Sequence, residues 1–177
     1  MNLNEQMQQV LSGAMYNDST PELNKARQNA LILTNEYNAS YGRPQAEREA
    51  VLKRLFNSIG EQVHFEPNLR CEFGSNISIG SYFFANFDCI LLDCGGIEIG
   101  DHVLFGPRVG IYTANHAADA YERIHGGCYA KPVKIGSNVW VGAGVHINQG
   151  VTIGENSIIG SGSVVTRDIP ANVIAAG

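Results

Sequence analysis

At 177 residues the chain is long enough for one domain with a sizeable core, plus at most a small annex. Its net charge is −5 and its pI about 5.5, with Lys and Arg unclustered, which argues against nucleic acid or an anionic membrane as partner. No apolar run approaches a bilayer span and residues 1–10 are polar rather than signal-like, so the expected location is the cytoplasm, with Cys71, Cys89, Cys94 and Cys128 as reduced thiols.

Residues 1–60 carry helical patterning. Asn4–Leu11 reads as a short polar helix ending near Gly13. Thr20-Pro21-Glu22 is a start signal: an N-cap hydroxyl, Pro at the first helical position, then an acid near the positive helix end. Leu23, Ala26, Ala30, Leu33 and Tyr37 follow at spacings of three and four, forming one apolar stripe. Tyr41-Gly42-Arg43-Pro44 breaks that helix, and Ala46–Phe56 restarts it with Val51, Leu52, Leu55, Phe56 and Ile59 as the buried face. Three short helices cannot make a core alone, so they are expected to cap the rest of the chain and shield its strand edges.

From Phe65 onward the period changes to six. Phe73, Ile79, Ala85 and Leu91 form one column, with Cys71, Ile77, Phe83 and Cys89 beside it. Gly95-Gly96 adds two residues, and the column resumes at Ile99, Phe105 and Ile111. It next returns only at Ile135, so an excursion of eighteen residues leaves the repeat between Thr113 and Pro132, carrying Asn115, His116, His125, Gly126 and Gly127. A long excursion from a strict repeat marks a binding loop.

Val133–Arg167 holds the period without interruption. One column reads Ile135, Val141, Ile147, Ile153, Ile159, Val165, a second Val133, Val139, Val145, Val151, Ser157, Ser163, and after the first come Gly136, Gly142, Asn148, Gly154, Gly160, Thr166. A helical period of 3.6 would drift out of phase, and sandwich strands hold no strict period. A six-residue repeat of an aliphatic followed by Gly or Asn specifies a parallel β-helix, with the aliphatic column stacked inward. The Gly and Asn column is expected at corners where φ is positive.

The Ala85-Asn86-Phe87 run, the T-x-x-H of Thr113–His116, the K-P-V-x-I-G-x-N-V-W of Lys131–Trp140 and the V-T-x-D-I-P-x-N-V of Val165–Val173 resemble the hexapeptide acetyltransferases. Among these the maltose and galactoside O-acetyltransferases and the nodulation acetyltransferases are most similar. The resemblance covers nearly the whole chain. It implies an all-β fold, a left-handed parallel β-helix over residues 61–177 with the excursion at 114–132, and a helical cap over 1–60. It further implies a homotrimer with active sites between subunits, acetyl-CoA as co-substrate with no metal, and a sugar as acceptor. Members of the family continue past Ala175–Gly177 into a strand with a basic residue near the coenzyme phosphates, which places that part of the donor site outside this match.

Acetyl transfer to a hydroxyl needs a base to take the hydroxyl proton as it attacks, and His has a pKa near operating pH. His116, at the mouth of the excursion, matches the family's catalytic His. His64, His102 and His146 match no family role and read as structural or surface residues, while His125 lies in the acceptor loop. Asn86 matches a residue that bonds the sugar or holds charge at the reacting centre; the other reading is a plain left-handed corner, as for Asn148. Asp93 matches an acid that contacts acceptor hydroxyls and Asp18 one that reaches in from the cap, and either can equally be a turn Asp. Glu72 and Cys128 align with acceptor contacts where galactoside enzymes have a hydroxyl and a Met, so acceptor preference does not carry over. For the donor, Trp140, an outward residue between inward Val139 and Val141, reads as a wall for the pantetheine arm. Backbone amides of Gly142 and Ala143 are candidates for the oxyanion. Ser161, Thr166 and Arg167 match coenzyme contacts, Arg167 supplying charge to the phosphates.

Other readings are a xenobiotic acetyltransferase, which shares repeat, His and donor, and a zinc carbonic-anhydrase-like β-helix. The latter needs three converging His, and the spacing of His102, His116 and His125 does not resemble that pattern. No phosphate-binding glycine loop opens a helix.

Overall fold

The computed structural model describes residues 1–177. Helix α1 spans Leu3–Leu11 behind a capping box in which Asn2 and Glu5 bond each other's backbone. Helix α2 spans Pro21–Ala39 with the Thr20 hydroxyl accepting from the Leu23 amide, and α3 spans Gln45–Leu55. The apolar stripe of α2 buries Leu23, Ala30 and Tyr37, and α3 buries Val51, Leu52 and Leu55. Both stripes enter the same core as the coils that follow. Tyr37 and Phe56 pack against Phe65 at centroid distances of 6.3 and 5.8 Å, and the stack continues through Phe83 to Phe105. The Tyr37 hydroxyl accepts from the Phe65 amide at 3.0 Å and reaches its carbonyl at 3.2 Å. The helices thus close the N-terminal end of the solenoid.

The repeat folds into three parallel sheets wound as a prism. Face 1 stacks strands Ser58–Ile59, Ile77–Ile79, Ile97–Ile99, Val133–Ile135 and Thr152–Ile153. Face 2 stacks His64–Phe65, Phe84–Ala85, Leu104–Phe105, Trp140–Val141, Ile158–Ile159 and Ile174–Ala175. Face 3 stacks Arg70–Cys71, Ile90–Leu92, Gly110–Tyr112, His146–Asn148 and Val164–Val165. In the strict region Trp140 pairs with Ile158 and Lys134 with Thr152, one eighteen-residue coil apart. Two- and three-residue strands survive because each is held by coils above and below, and the inward column is fully buried, each Ile or Val worth about 1.5–3 kcal/mol.

Two expectations need correction. The inward column begins at Ile59, ahead of Phe65, and runs through Phe65 and Cys71, with Cys71 paired to Leu91, before two extra residues precede Ile77. Cys71 therefore sits in the column assigned to Phe73. Phe73 is expelled by those extra residues and packs with Val10, Tyr16, Leu23, Cys94, Cys128 and Ala130 in a second core. The Gly column is not where φ turns positive. Positive φ falls two residues later, at Tyr82, Asp88, His102, Arg108, Asn138, Gly144, Gly150, Asn156 and Gly162. Gly136, Gly142 and Gly154 are needed because coils approach too closely for a side chain: a Cβ on Gly136 would lie 2.6 Å from the Glu155 nitrogen. Asn148 has ordinary extended backbone in its strand, and so does not fill a left-handed corner.

The excursion is more ordered than its sequence suggests. Ala114–His116 pairs antiparallel with Gly127–Ala130, which pairs on its other edge with Tyr16–Asn17 from the link between α1 and α2. A short helix α4, Ala120–Ile124, caps the hairpin, N-capped by Asp119. The second core fastens this small sheet to the cap helices.

Candidate active site

His116 closes the strand Ala114–His116, directly opposite Cys128, which in turn lies opposite Tyr16. Cross-strand partners share a face, so the three side chains form one row. The imidazole is exposed, its Nδ1 lies 3.2 Å from Cys128 Sγ, and Nε2 has no protein partner. Cys128 is only 2% exposed. Its side chain is packed into the second core with Sγ facing the His116 ring. Burial, with Asp18 and Glu72 nearby and Arg27 opposing, pushes its thiol up to about 11.

Beside this row stands an ion cluster. Arg27, on the outward edge of the α2 stripe, bonds the Asp18 carboxylate, the Asp18 carbonyl at 2.7 Å and the Glu72 carboxylate. Its guanidinium lies 5.2 Å from the Phe73 ring centroid. Asp18 and Glu72 are thus brought together, with part of each carboxylate open to solvent. Arg27 was not singled out by the sequence reading. Two acids placed at one site without a cation was the signal that could have found it.

Asp93 turns into the fold, where backbone amides meet its carboxylate. It is 0% exposed, and its oxygens accept from the amides of Glu72 at 3.1 Å, Phe73 at 2.8 Å and Asn76 at 3.2 Å. It folds the extra residues that present Glu72. Burial pushes its carboxyl above the usual range, against those backbone hydrogen bonds.

Asn86 lies at the corner between faces 2 and 3, half-buried, with Oδ1 accepting from the Phe87 amide at 2.8 Å and Nδ2 free. Gly142, Ala143 and Ser161 stack at the same corner on later coils. The Gly142 amide donates to the Ile159 carbonyl at 2.8 Å and the Ala143 amide to Ser161 Oγ at 3.1 Å. Both donors are taken up by the coil stack.

Trp140 is 52% exposed on face 2, as its outward register predicts. Its outward neighbours along the ladder are His64, Phe84, Leu104, Ile158 and Ile174, an almost wholly apolar row. Thr166 and Arg167 leave face 3 in the last coil and line a depression of about 300 Å³ with Val165 and Ala175; Arg167 has no ion-pair partner. Leu92, Tyr112 and Asn148 share one outward ladder of face 3, whose ends continue to Glu72 and Thr166. Tyr112, also unmarked by sequence, bonds His146 Nδ1 on the next coil at 3.2 Å, diagonally to the strand register.

His102 stacks on Tyr82 at another corner, away from His116 and His125, and no three His, Cys, Asp or Glu side chains converge as metal ligands. The largest groove, on face 1 along Ser78, Glu98, Lys134 and Thr152, is shallow and holds none of these residues. No helix is long and apolar enough to cross a membrane.

Residues 132–167 match the bacterial transferase hexapeptide (six repeats) family, and residues 9–60 match the maltose acetyltransferase hexapeptide capping motif. The chain is similar to the galactoside O-acetyltransferase of Escherichia coli K12, 41% identical over 96% of this chain and 84% of that protein. The crystal structure of a maltose O-acetyltransferase from Clostridium difficile 630 superposes with a TM-score of 0.94 at 47% identity, covering 100% of this chain and 93% of that one. A galactoside acetyltransferase in complex with coenzyme A superposes with a TM-score of 0.91 at 40% identity, covering 100% and 87%.

Proposed function

Because the chain belongs to the maltose and galactoside branch of the hexapeptide acetyltransferases, with their parallel β-helix and acetyl-CoA-dependent activity, we propose that it transfers acetyl from acetyl-CoA to a sugar hydroxyl with His116 as general base, on a β-helix of left-handed turn. One observation supports this above the rest: a solvent-facing imidazole with a free Nε2 stands beside carboxylates that suit sugar hydroxyls. In this reading Asp18 and Glu72, held by Arg27, orient the acceptor. His116 Nε2 takes the hydroxyl proton as the oxygen attacks the thioester carbonyl. The free Nδ2 of Asn86 donates to the oxygen that gains charge. The tetrahedral intermediate expels the coenzyme thiolate, which takes the proton back from the imidazolium.

All four thiols are pushed up by burial, to about 12 for Cys71 and Cys94 and about 11 for Cys89 and Cys128, which favours direct transfer over an acetyl-cysteine. Trp140, Ser161, Thr166 and Arg167 form the donor track. The working unit in this proposal is a homotrimer, which the apolar ladder of face 2 supports, with residues 1–60 as the cap of the acceptor side and the cytoplasm as its place.

Release of free thiol from acetyl-CoA, followed across glucose, maltose, galactosides, amino sugars and chloramphenicol, tests the reading. Turnover with at least one sugar is expected; turnover with chloramphenicol alone would replace the sugar by a xenobiotic acceptor.

A further inference from the structure

His116 has one side-chain partner. Its Nδ1 faces Cys128 Sγ at 3.2 Å, and no other protein atom bonds the ring. The pairing is built into the strand register, since His116 and Cys128 are opposed in an antiparallel ladder whose next strand places Tyr16 beyond Cys128. Cys128 is fixed there by Val10, Leu23, Phe73 and Ala130, and its sulfur bonds nothing else. The charged and titratable groups that face it are Asp18, Arg27 and Glu72, together with Tyr16 and Cys94. Both carboxylates are occupied by Arg27.

We propose that Cys128 is a positioning residue: its sulfur accepts the Nδ1 proton of His116, so that Nε2 keeps the lone pair that meets the acceptor hydroxyl. The proposal rests on the general-base reading of His116. A neutral imidazole beside a neutral thiol has two arrangements. If the thiol donates to Nδ1, the ring proton sits on Nε2 and the base is blocked. If Nδ1 donates to sulfur, Nε2 is free. Proton transfer decides between them, because the imidazolium carries a proton on both nitrogens and Nδ1 must then donate. Only the second arrangement passes through the reaction without the thiol turning away, and the packing around Cys128 leaves it little room to turn. The thiol is itself neutral at working pH, since burial holds it up near 11. No covalent step involves the sulfur.

The test uses full-length protein labelled with 15N in its histidines, with Cys128→Ala, Cys128→Ser and His116→Ala alongside. Ring nitrogen shifts should show wild-type His116 with its proton on Nδ1, and a mixed population in Cys128→Ala. That variant should lose about tenfold in kcat with both KM values within about twofold, the loss expected for one hydrogen bond. The acid limb of its kcat/KM profile should move to lower pH, because the imidazolium loses its acceptor. Cys128→Ser, which keeps an acceptor, should stay within about threefold of wild type. If Cys128→Ala fails to fold, the wild-type spectrum and the Ser variant decide. A wild-type ring protonated on Nε2, or a Cys128→Ala enzyme with unchanged kcat and acid limb, overturns the proposal. An active His116→Ala enzyme would instead overturn the general-base reading on which it rests.

Discussion

Asn86 and His116 stand at different corners of one prism: Asn86 links faces 2 and 3, while the excursion that carries His116 links faces 3 and 1. In the proposed mechanism both act on one acetyl group, so a neighbouring subunit would supply one of them. Co-expressed Asn86→Ala and His116→Ala chains should form mixed trimers in which about a quarter of the sites are intact, while each variant alone is nearly inactive. Activity of the mixture no higher than that of the parents would place each site within one subunit.

The corner glycines separate two reasons for lacking a side chain. Gly136 faces the backbone of the next coil, whereas Gly144 has φ +64° with nothing within 4 Å. Asn already fills the position equivalent to Gly144 at Asn138 and Asn156. Gly144→Asn should therefore shift stability by less than about 0.5 kcal/mol, and Gly136→Asn should cost about 2–3 kcal/mol. Equal costs in denaturant titration would refute the close-approach account.

Asp93 makes a prediction about pH. Its carboxyl is raised above the ordinary Asp value by burial, so the protonated form is favoured in the fold. That contribution is fully present below the ordinary Asp pKa and is lost as pH rises through the raised one. Asp93→Asn cannot ionise but keeps one acceptor oxygen for three amides. It should be less stable than wild type at all pH values and should lack this decline. Parallel melting-temperature profiles across the acid range would show that Asp93 does not titrate there.

Arg27 should matter to the acceptor rather than the donor. Arg27→Ala releases Asp18 and Glu72 into mutual repulsion, and the acceptor KM should rise about tenfold with acetyl-CoA binding unchanged. Lys restores the charge without the two-sided geometry, so Arg27→Lys should recover only part of the loss. An unchanged acceptor KM in Arg27→Ala would remove the cluster from the acceptor site.

What could be read in advance was whatever the period carries. Ile135 to Val165 fixed the inward column, and Thr20-Pro21 fixed the start of α2, because both signals are local and repeated. Phe73 was misplaced because two extra residues beside it are hidden by an apolar side chain that suits either phase. The glycine column was assigned to the wrong cause, since spacing shows where glycine recurs but not which neighbouring coil excludes a Cβ. In the candidate site, His116 and Trp140 were visible through motif and register. Arg27 was not, because its partners Asp18 and Glu72 are joined only by tertiary packing. The burial of Asp93 and Cys128 was not legible, because residue type says nothing of burial, nor were the hydrogen bonds of the Gly142 and Ala143 amides, because sequence does not show where a backbone proton is used.

In the proposed mechanism the decisive step is removal of the acceptor's proton by His116. It is tested most directly by single-turnover and steady-state kinetics of His116→Ala with acetyl-CoA and the best sugar, together with the acetyl-CoA dissociation constant. In the proposed mechanism the imidazole acts in the transition state and the donor track runs through Trp140 and Arg167, so kcat should fall by about 10²–10⁴ with donor affinity unchanged. A His116→Ala enzyme that keeps more than about a tenth of wild-type kcat would contradict the claim and reduce His116 to a hydrogen-bonding contact.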